Sequence, residues 1–213
     1  MSLALAAPDR DCPLCPRLAE FRAANRASFP EFFNAPVPSF GRPEARLLVL
    51  GLAPGLKGAN RTGRPFTGDY AGDLLYSTLL KFGFARGRFE ARPDDGLELV
   101  DCRIANAVRC VPPENKPVGA EISTCRRFLA DEIAAMPRLA AIVALGGIAH
   151  QSAVAAFGLR KALAKFGHGS RHDLPRGVVL FGSYHCSRYN TNTGRLTEAM
   201  FHQVFAAVRQ TLL

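Results

Sequence analysis

An α/β fold, with a central four-stranded parallel sheet flanked by helices on both faces, follows from three features of the sequence. Residues 46–50, 139–145 and 178–181 are short aliphatic runs without polar alternation, as in strands buried on both faces. Stretches with apolar residues at helical spacing lie between these runs, and strands alternating with helices imply parallel order. The runs also empty into glycine-rich or polar segments, and in such sheets ligands bind beyond the carboxyl ends of the strands.

Taken in order, Asp11-Cys12-Pro13-Leu14-Cys15-Pro16 reads as a tight knuckle, with Leu14, Leu18 and Phe21 on one face of the short helix after it. Pro30, Pro36, Pro38 and Pro43 then break the chain into an extended connector. The first strand, 46–50, opens into a long glycine- and cation-rich loop. Leu75 with Leu79, and Leu74 with Thr78 and Phe82, mark the helix that ends this loop, starting between Asp69 and Asp73. A second strand is expected over residues 97–108, placing Asn106 near its carboxyl end. Ile122, Cys125, Leu129 and Ile133 form the buried stripe of the next helix. Residues 139–145 are the third strand, and Gly146-Gly147 opens a helix running to about Phe157. A polar loop with His168, Arg171 and His172 precedes the fourth strand, which delivers Ser183-Tyr184-His185. Leu196, Met200, Val204, Val208 and Leu212 repeat every four residues in a final amphipathic helix.

A chain of 213 residues, 48% hydrophobic, can close one well-buried core, so a single domain is expected over 1–213, with 1–44 as its amino-terminal helix and connector. Lysine and arginine outnumber aspartate and glutamate 27 to 18, and a net charge of +9 attracts polyanions, nucleic acid first. No apolar run approaches the roughly 20 residues that span a bilayer. Residues 1–7 lack the basic start of a secretory signal, so a cytoplasmic monomer is expected.

Within the first loop, glycines let the backbone approach a ligand, and Asn60, Arg61 and Arg64 suit phosphates or polar rings. Phe66 is the one large apolar residue there, either core or a face for a flat ring to stack on. The Asn106 amide pairs a donor with an acceptor, the complement of a ring edge that presents a carbonyl beside an N–H, although asparagine also serves in turns and caps. His185 follows a strand, as does each of these segments, so three distant stretches meet at one edge of the sheet. The Cys-Pro-Leu-Cys turn has no packing reason for two thiols. With Cys110 and Cys125 it makes a candidate metal set, for zinc or iron–sulfur, while Cys125 on its apolar stripe could equally be core.

Two long motifs carry a family resemblance. Gly51-Leu52-Ala53-Pro54-Gly55, continuing through Gly58-Ala59-Asn60-Arg61-Thr62-Gly63-Arg64-Pro65-Phe66-Thr67-Gly68-Asp69, resembles the first motif of the family 5 (type B) uracil-DNA glycosylases. His185-Cys186-Ser187-Arg188-Tyr189-Asn190, followed by Asn192-Thr193-Gly194-Arg195-Leu196, resembles the second motif of that superfamily. The resemblance implies a repair enzyme that flips uracil out of DNA and hydrolyses its N-glycosidic bond, with tolerance of other deaminated bases such as hypoxanthine and xanthine. It implies a [4Fe-4S] cluster on Cys12, Cys15, Cys110 and Cys125, stapling the amino-terminal segment to the body.

The base would lie among Ala53, Gly55, Phe66 and Asn106, with His185 donating to the departing base and Asn190 supporting its loop. Nothing in Gly51–Gly55 ionises, so the water-activating group is open between Asp69 and Asp73. Alignment with the family favours Asp73, and both also suit the first turn of a helix. Arg61, Arg188, Tyr189, Asn192 and Arg195 are expected on DNA, with Arg188-Tyr189 where related enzymes carry a duplex wedge. Cys186 stands where proline is common.

Two other functions were compatible with parts of this pattern. A nucleotide phosphohydrolase would need Gly-Lys directly followed by Ser or Thr at the helix start, and Lys57-Gly58 is well upstream of the helix. A non-enzymatic, metal-stabilised DNA-binding module accounts for charge and cysteines and leaves Phe66, Asn106 and His185 without a purpose.

Overall fold

The computed structural model describes residues 7–213, so the reading of residues 1–6 lies outside the described part. In chain order the elements are α1 (Pro16–Ser28), β1 (Leu47–Gly51), α2 (Ala59–Thr62), α3 (Tyr70–Lys81), β2 (Ala85–Arg86), β3 (Glu98–Leu99), β4 (Cys102–Asn106), α4 (Gly119–Ala134), β5 (Ala141–Leu145), α5 (Gly147–Ala156), β6 (Arg171–Leu174), β7 (Val178–Ser183), α6 (Arg188–Asn192) and α7 (Glu198–Thr211).

The main sheet has five strands in the order β4-β1-β5-β7-β6, against the four expected. Four are parallel and form the predicted core of the sheet. The fifth, β6, is antiparallel to β7 and lies where a polar loop was expected. Its four residues, Arg-His-Asp-Leu, carry no apolar signal because an edge strand buries little. A three-residue turn with Arg176 at φ 66° joins it to β7. The expected second strand divides: β3 pairs with β2 in a separate two-stranded hairpin, and only β4 enters the main sheet.

Every residue of β1, β4, β5 and β7 is buried, which explains their unbroken apolar character. Successive side chains point to opposite faces. Leu47, Val49, Ile104, Val143 and Phe181 face α3 and α7 through Leu75, Leu79, Phe201 and Phe205. Leu48, Leu50, Ile142, Ala144 and Leu180 face α4 and α5 through Leu129, Ile133, Ala149 and Val154. On α1, Leu18, Arg22 and Asn25 are the buried positions, whereas Leu14 precedes the helix and is exposed. The connector after α1 is fixed by Val37 N–H donating to Arg109 O at 2.7 Å and by the bridge between Phe40 and Ile104.

Beneath that connector, Glu132 of α4 joins Arg103 of β4 (2.7 Å) and Arg109, and Arg109 also donates to Ser39 Oγ at 2.6 Å. The two guanidinium groups hold the Glu132 carboxyl below its usual range against the opposing effect of burial. This ion network ties helix, sheet and connector together beside Cys110 and Cys125.

Candidate active site

Three strand ends meet at one cavity of about 420 Å³, the size of a small-ligand site. The β1 loop contributes Ala53, Gly55 and Phe66, β4 ends on Asn106, and the segment after β7 brings His185 and Arg188. Gly51, the last residue of β1, shows how tightly the first of these converge. A Cβ there would lie 2.4 Å from Asn106 Oδ1 and 2.7 Å from Phe66 Cζ, so only glycine lets both side chains close over the strand end.

Phe66 is buried and sits at φ +53°, a left-handed conformation uncommon for an aromatic residue. Its neighbours hold it there. Tyr76 OH donates to Pro65 O at 2.7 Å, and Thr67 Oγ1 accepts from Arg64 Nε at 2.8 Å. The Phe66 carbonyl rests against Gly72 of α3, where a Cβ would come within 2.0 Å of its oxygen.

Asn60 and Arg64, read as ligand-facing, are structural. Asn60 is buried and donates to Asn34 Oδ1 at 2.9 Å. Arg64 is buried, bidentate to Asp95 at 2.8 and 2.7 Å, and packed against the rings of Phe40, Tyr76 and Phe89. Their partners are remote in sequence, so nothing local announced the pairing. Arg61 alone of the three is exposed.

His185 stands 5.9 Å from Phe66 between ring centroids, with the planes inclined 28°. Burial lowers its pKa, so the imidazole is neutral at neutral pH and carries one N–H to donate. Asn190 Nδ2 donates to His185 O at 2.8 Å, the supporting bond expected of it. Cys186 is fully buried, its Sγ 3.4 Å from Ala71 O, and pins the segment to α3. The following residues, expected as a loop, form α6, with Ser187 Oγ accepting from Asn190 N at its start. Tyr189 on α6 is 72% exposed, and Asn192 and Arg195 are also exposed. The Arg188 guanidinium lies 5.2 Å from the Tyr70 ring at the cavity mouth, and that of Arg195 lies 4.8 Å from Tyr184.

Asp69 lines the cavity, whereas Asp73 is an exposed first-turn residue of α3 outside the lining. The surrounding loop raises the Asp69 pKa by desolvation, opposed by the Gly72 and Ala71 amides. Its side chain remains open to the cavity, so water still reaches it. Asn115, in the segment between β4 and α4, also lines the cavity. Glu114 and Asn115 are both left-handed, at φ 53° and 57°, a backbone signal that the sequence shows only as an asparagine. Asp69 Oδ2 and Asn115 Oδ1 lie 3.4 and 3.9 Å from the point where a Gly55 Cβ would be, so two acceptor oxygens converge over that glycine.

Cys12, Cys15, Cys110 and Cys125 line a second, smaller cavity with Leu14, Leu18, Val108 and Phe128. Arg22 Nη1 approaches Cys110 Sγ at 3.6 Å, and Arg109 N–H donates to Cys125 Sγ at 3.4 Å. Burial raises the thiol pKa of Cys15 and Cys125, and pushes that of Cys110 up to about 12. Four thiols around one small cavity, two of them with an N–H donor directed at the sulfur, are a donor set that fits a thiolate-bound metal group. Among the described residues, no three His, Cys, Asp or Glu groups are gathered as ligands of a single ion.

Residues 38–209 match the model of the Uracil DNA glycosylase superfamily. The chain is 46% identical over 204 residues to the type-5 uracil-DNA glycosylase of Thermus thermophilus, covering 93% of each chain. It is 42% identical to that of Mycobacterium bovis, covering 93% of this chain and 77% of the relative. It is 38% identical to that of Pyrobaculum aerophilum, covering 88% of this chain and 83% of the relative. A family model spanning most of the chain, and relatives this similar along more than three quarters of their length, establish that the chain belongs to the uracil DNA glycosylase superfamily, among its type-5 enzymes.

Proposed function

We infer that the protein is a DNA repair glycosylase that extrudes uracil from DNA and hydrolyses the bond from deoxyribose C1′ to the base, leaving an abasic site. The meeting of Phe66, Asn106 and His185 at one cavity carries this reading. A flipped base stacks on Phe66, the Asn106 amide reads its O4 and N3–H edge, and His185 donates to O2 as negative charge gathers there. That donation strengthens as the bond breaks, so it favours the transition state over the bound substrate. Water adds to C1′, its proton passes to a base, and the departing uracil anion is protonated. Asp69 takes the water's proton, with Asn115 holding the same water over Gly55. The room beside Ala53 also suits a two-ring deaminated base.

Cys12, Cys15, Cys110 and Cys125 would hold a [4Fe-4S] cluster. Bound there, the group supplies a covalent cross-link between the amino-terminal segment, residues 1–44, and the loop and helix after β4. Arg61, Arg188, Tyr189, Asn192 and Arg195 face DNA, with Tyr189 filling the gap in the duplex and the cations meeting phosphates. Among the described residues no helix is long and apolar enough to cross a membrane. We place the enzyme as a monomer on DNA in the cytoplasm. Incubation with a uracil-containing duplex, followed by alkali, should break the strand at the uracil. Intact strands would reject the activity, with nucleoside triphosphate hydrolysis indicating a phosphohydrolase and a gel shift alone indicating a binder.

A further inference from the structure

The groove between the amino-terminal halves of α4 and α5 holds a polar cavity of about 100 Å³, lined among others by Arg126, Gln151, Ser152, Lys161, Ile122 and Ile148. No carboxylate lines it. Ser152 is 2% exposed and its Oγ has no hydrogen-bond partner, nor has the buried Nε of Arg126. Buried donors are ordinarily satisfied, so two orphans in the wall of one cavity with two cations are a feature to explain. The apolar neighbours Ile122 and Ile148 limit the space to something small, and the lining offers donors without a balancing negative charge. A compact oxyanion meets both conditions: guanidinium and ammonium supply charge, while hydroxyl and amide supply further hydrogen bonds.

The position matters too. Both helices run back from the carboxyl edge of the parallel strands, so their amino-terminal halves lie toward the edge that carries the base cavity. A Cβ on Gly146, the residue before α5, would lie 3.9 Å from His185 Cβ. The helix starts add their own positive potential at that edge.

We propose that this groove is a phosphate-binding site, filled on DNA by a backbone phosphodiester away from the flipped nucleotide. The DNA occupant rests on the glycosylase reading above; the oxyanion chemistry does not. The site adds a register contact that neither the base cavity nor α6 supplies.

The test compares wild-type protein with Arg126→Gln and Lys161→Gln, the latter at an exposed rim residue whose loss leaves the helix packing intact. Affinity for a duplex carrying an abasic site is measured across a salt series, alongside single-turnover excision of uracil at saturating protein. If a phosphodiester fills the groove, each variant binds several-fold more weakly, and its slope of log K against log salt falls by about 0.9, one phosphate contact. Excision by each variant at saturation stays at the wild-type rate; absence of excision by the wild-type protein itself would instead indict the glycosylase reading. Unchanged slopes, together with a rise in wild-type melting temperature in inorganic phosphate over chloride at equal ionic strength that Arg126→Gln abolishes, would assign the site to the free anion. Unchanged slopes and no phosphate-specific stabilisation overturn the proposal.

Discussion

Phe66 and His185 face each other with ring centroids 5.9 Å apart. A base slipped between two rings needs about 7 Å, two layers at van der Waals distance, so on the proposed reading the imidazole would meet a base at its edge while Phe66 takes its face. The edge-on approach suits a donor to O2. His185→Ala should therefore lower single-turnover excision by about 10²- to 10³-fold, the usual effect of losing one charge-stabilising donor. Affinity for an abasic product should hardly change. Equal losses in rate and affinity would return His185 to a binding role.

Asp69 and Asp73 separate cleanly in a pH profile. Asp69 must be ionised to accept the water's proton, and burial raises its pKa, so excision should rise with pH through a value above the ordinary carboxylate range. Asp69→Asn should remove that limb and cost on the order of 10²-fold, while Asp73→Asn stays near wild type. The same raised pKa means that the folded state holds this proton to higher pH than the unfolded state does. The contribution of Asp69 to stability therefore falls as pH rises from 3.8 through the raised value. Asp69→Asn should not weaken the fold at neutral pH. An unaltered profile in Asp69→Asn would leave water without this base.

Gly51→Ala places a methyl group 2.4 Å from Asn106 Oδ1 and 2.7 Å from Phe66. The two walls of the cavity must then part. Excision should be lost, with an overpacking cost of about 1–3 kcal/mol read by urea denaturation. Retained activity would mean that Phe66 and Asn106 act independently.

Asp95→Asn strands the buried Arg64 guanidinium and should cost about 3–5 kcal/mol. Hydrogen bonds from Arg64 hold the Asp95 carboxyl well below its usual range. The pair's contribution is full above the unfolded carboxylate pKa and is lost as pH falls toward the depressed value. Acid denaturation should accordingly move to higher pH in the variant, together with loss of Phe66 positioning and of excision.

Cys12→Ser and Cys125→Ser should abolish bound iron and visible absorption and lower the melting temperature. Cys102→Ala, a core position in β4, should keep the iron. Iron retained in Cys12→Ser would remove that residue from the ligand set.

Much of this was legible in the chain itself. The apolar runs of β1, β5 and β7 placed the parallel core because strands covered on both faces cannot alternate. The motifs around Phe66 and His185 marked the edge where ligands bind. Short-range patterning missed β6, a four-residue polar edge strand with little to bury, and merged β3 with β4 across a break at Asp101. It also misjudged side chains whose partners are distant. Arg64 reads as a free cation until folding brings Asp95 beneath it, and Asn60 until Asn34 arrives.

Sequence alone determined the parallel core of the sheet, the family and the residues available for chemistry, since hydrophobic period and motif order are local properties. Only the tertiary structure decided that Asp69 rather than Asp73 lines the cavity, that Asn115 joins it over Gly55, and that Gly51 lets Phe66 and Asn106 close together. Those choices depend on distances between segments that the chain keeps far apart and that packing alone brings within reach.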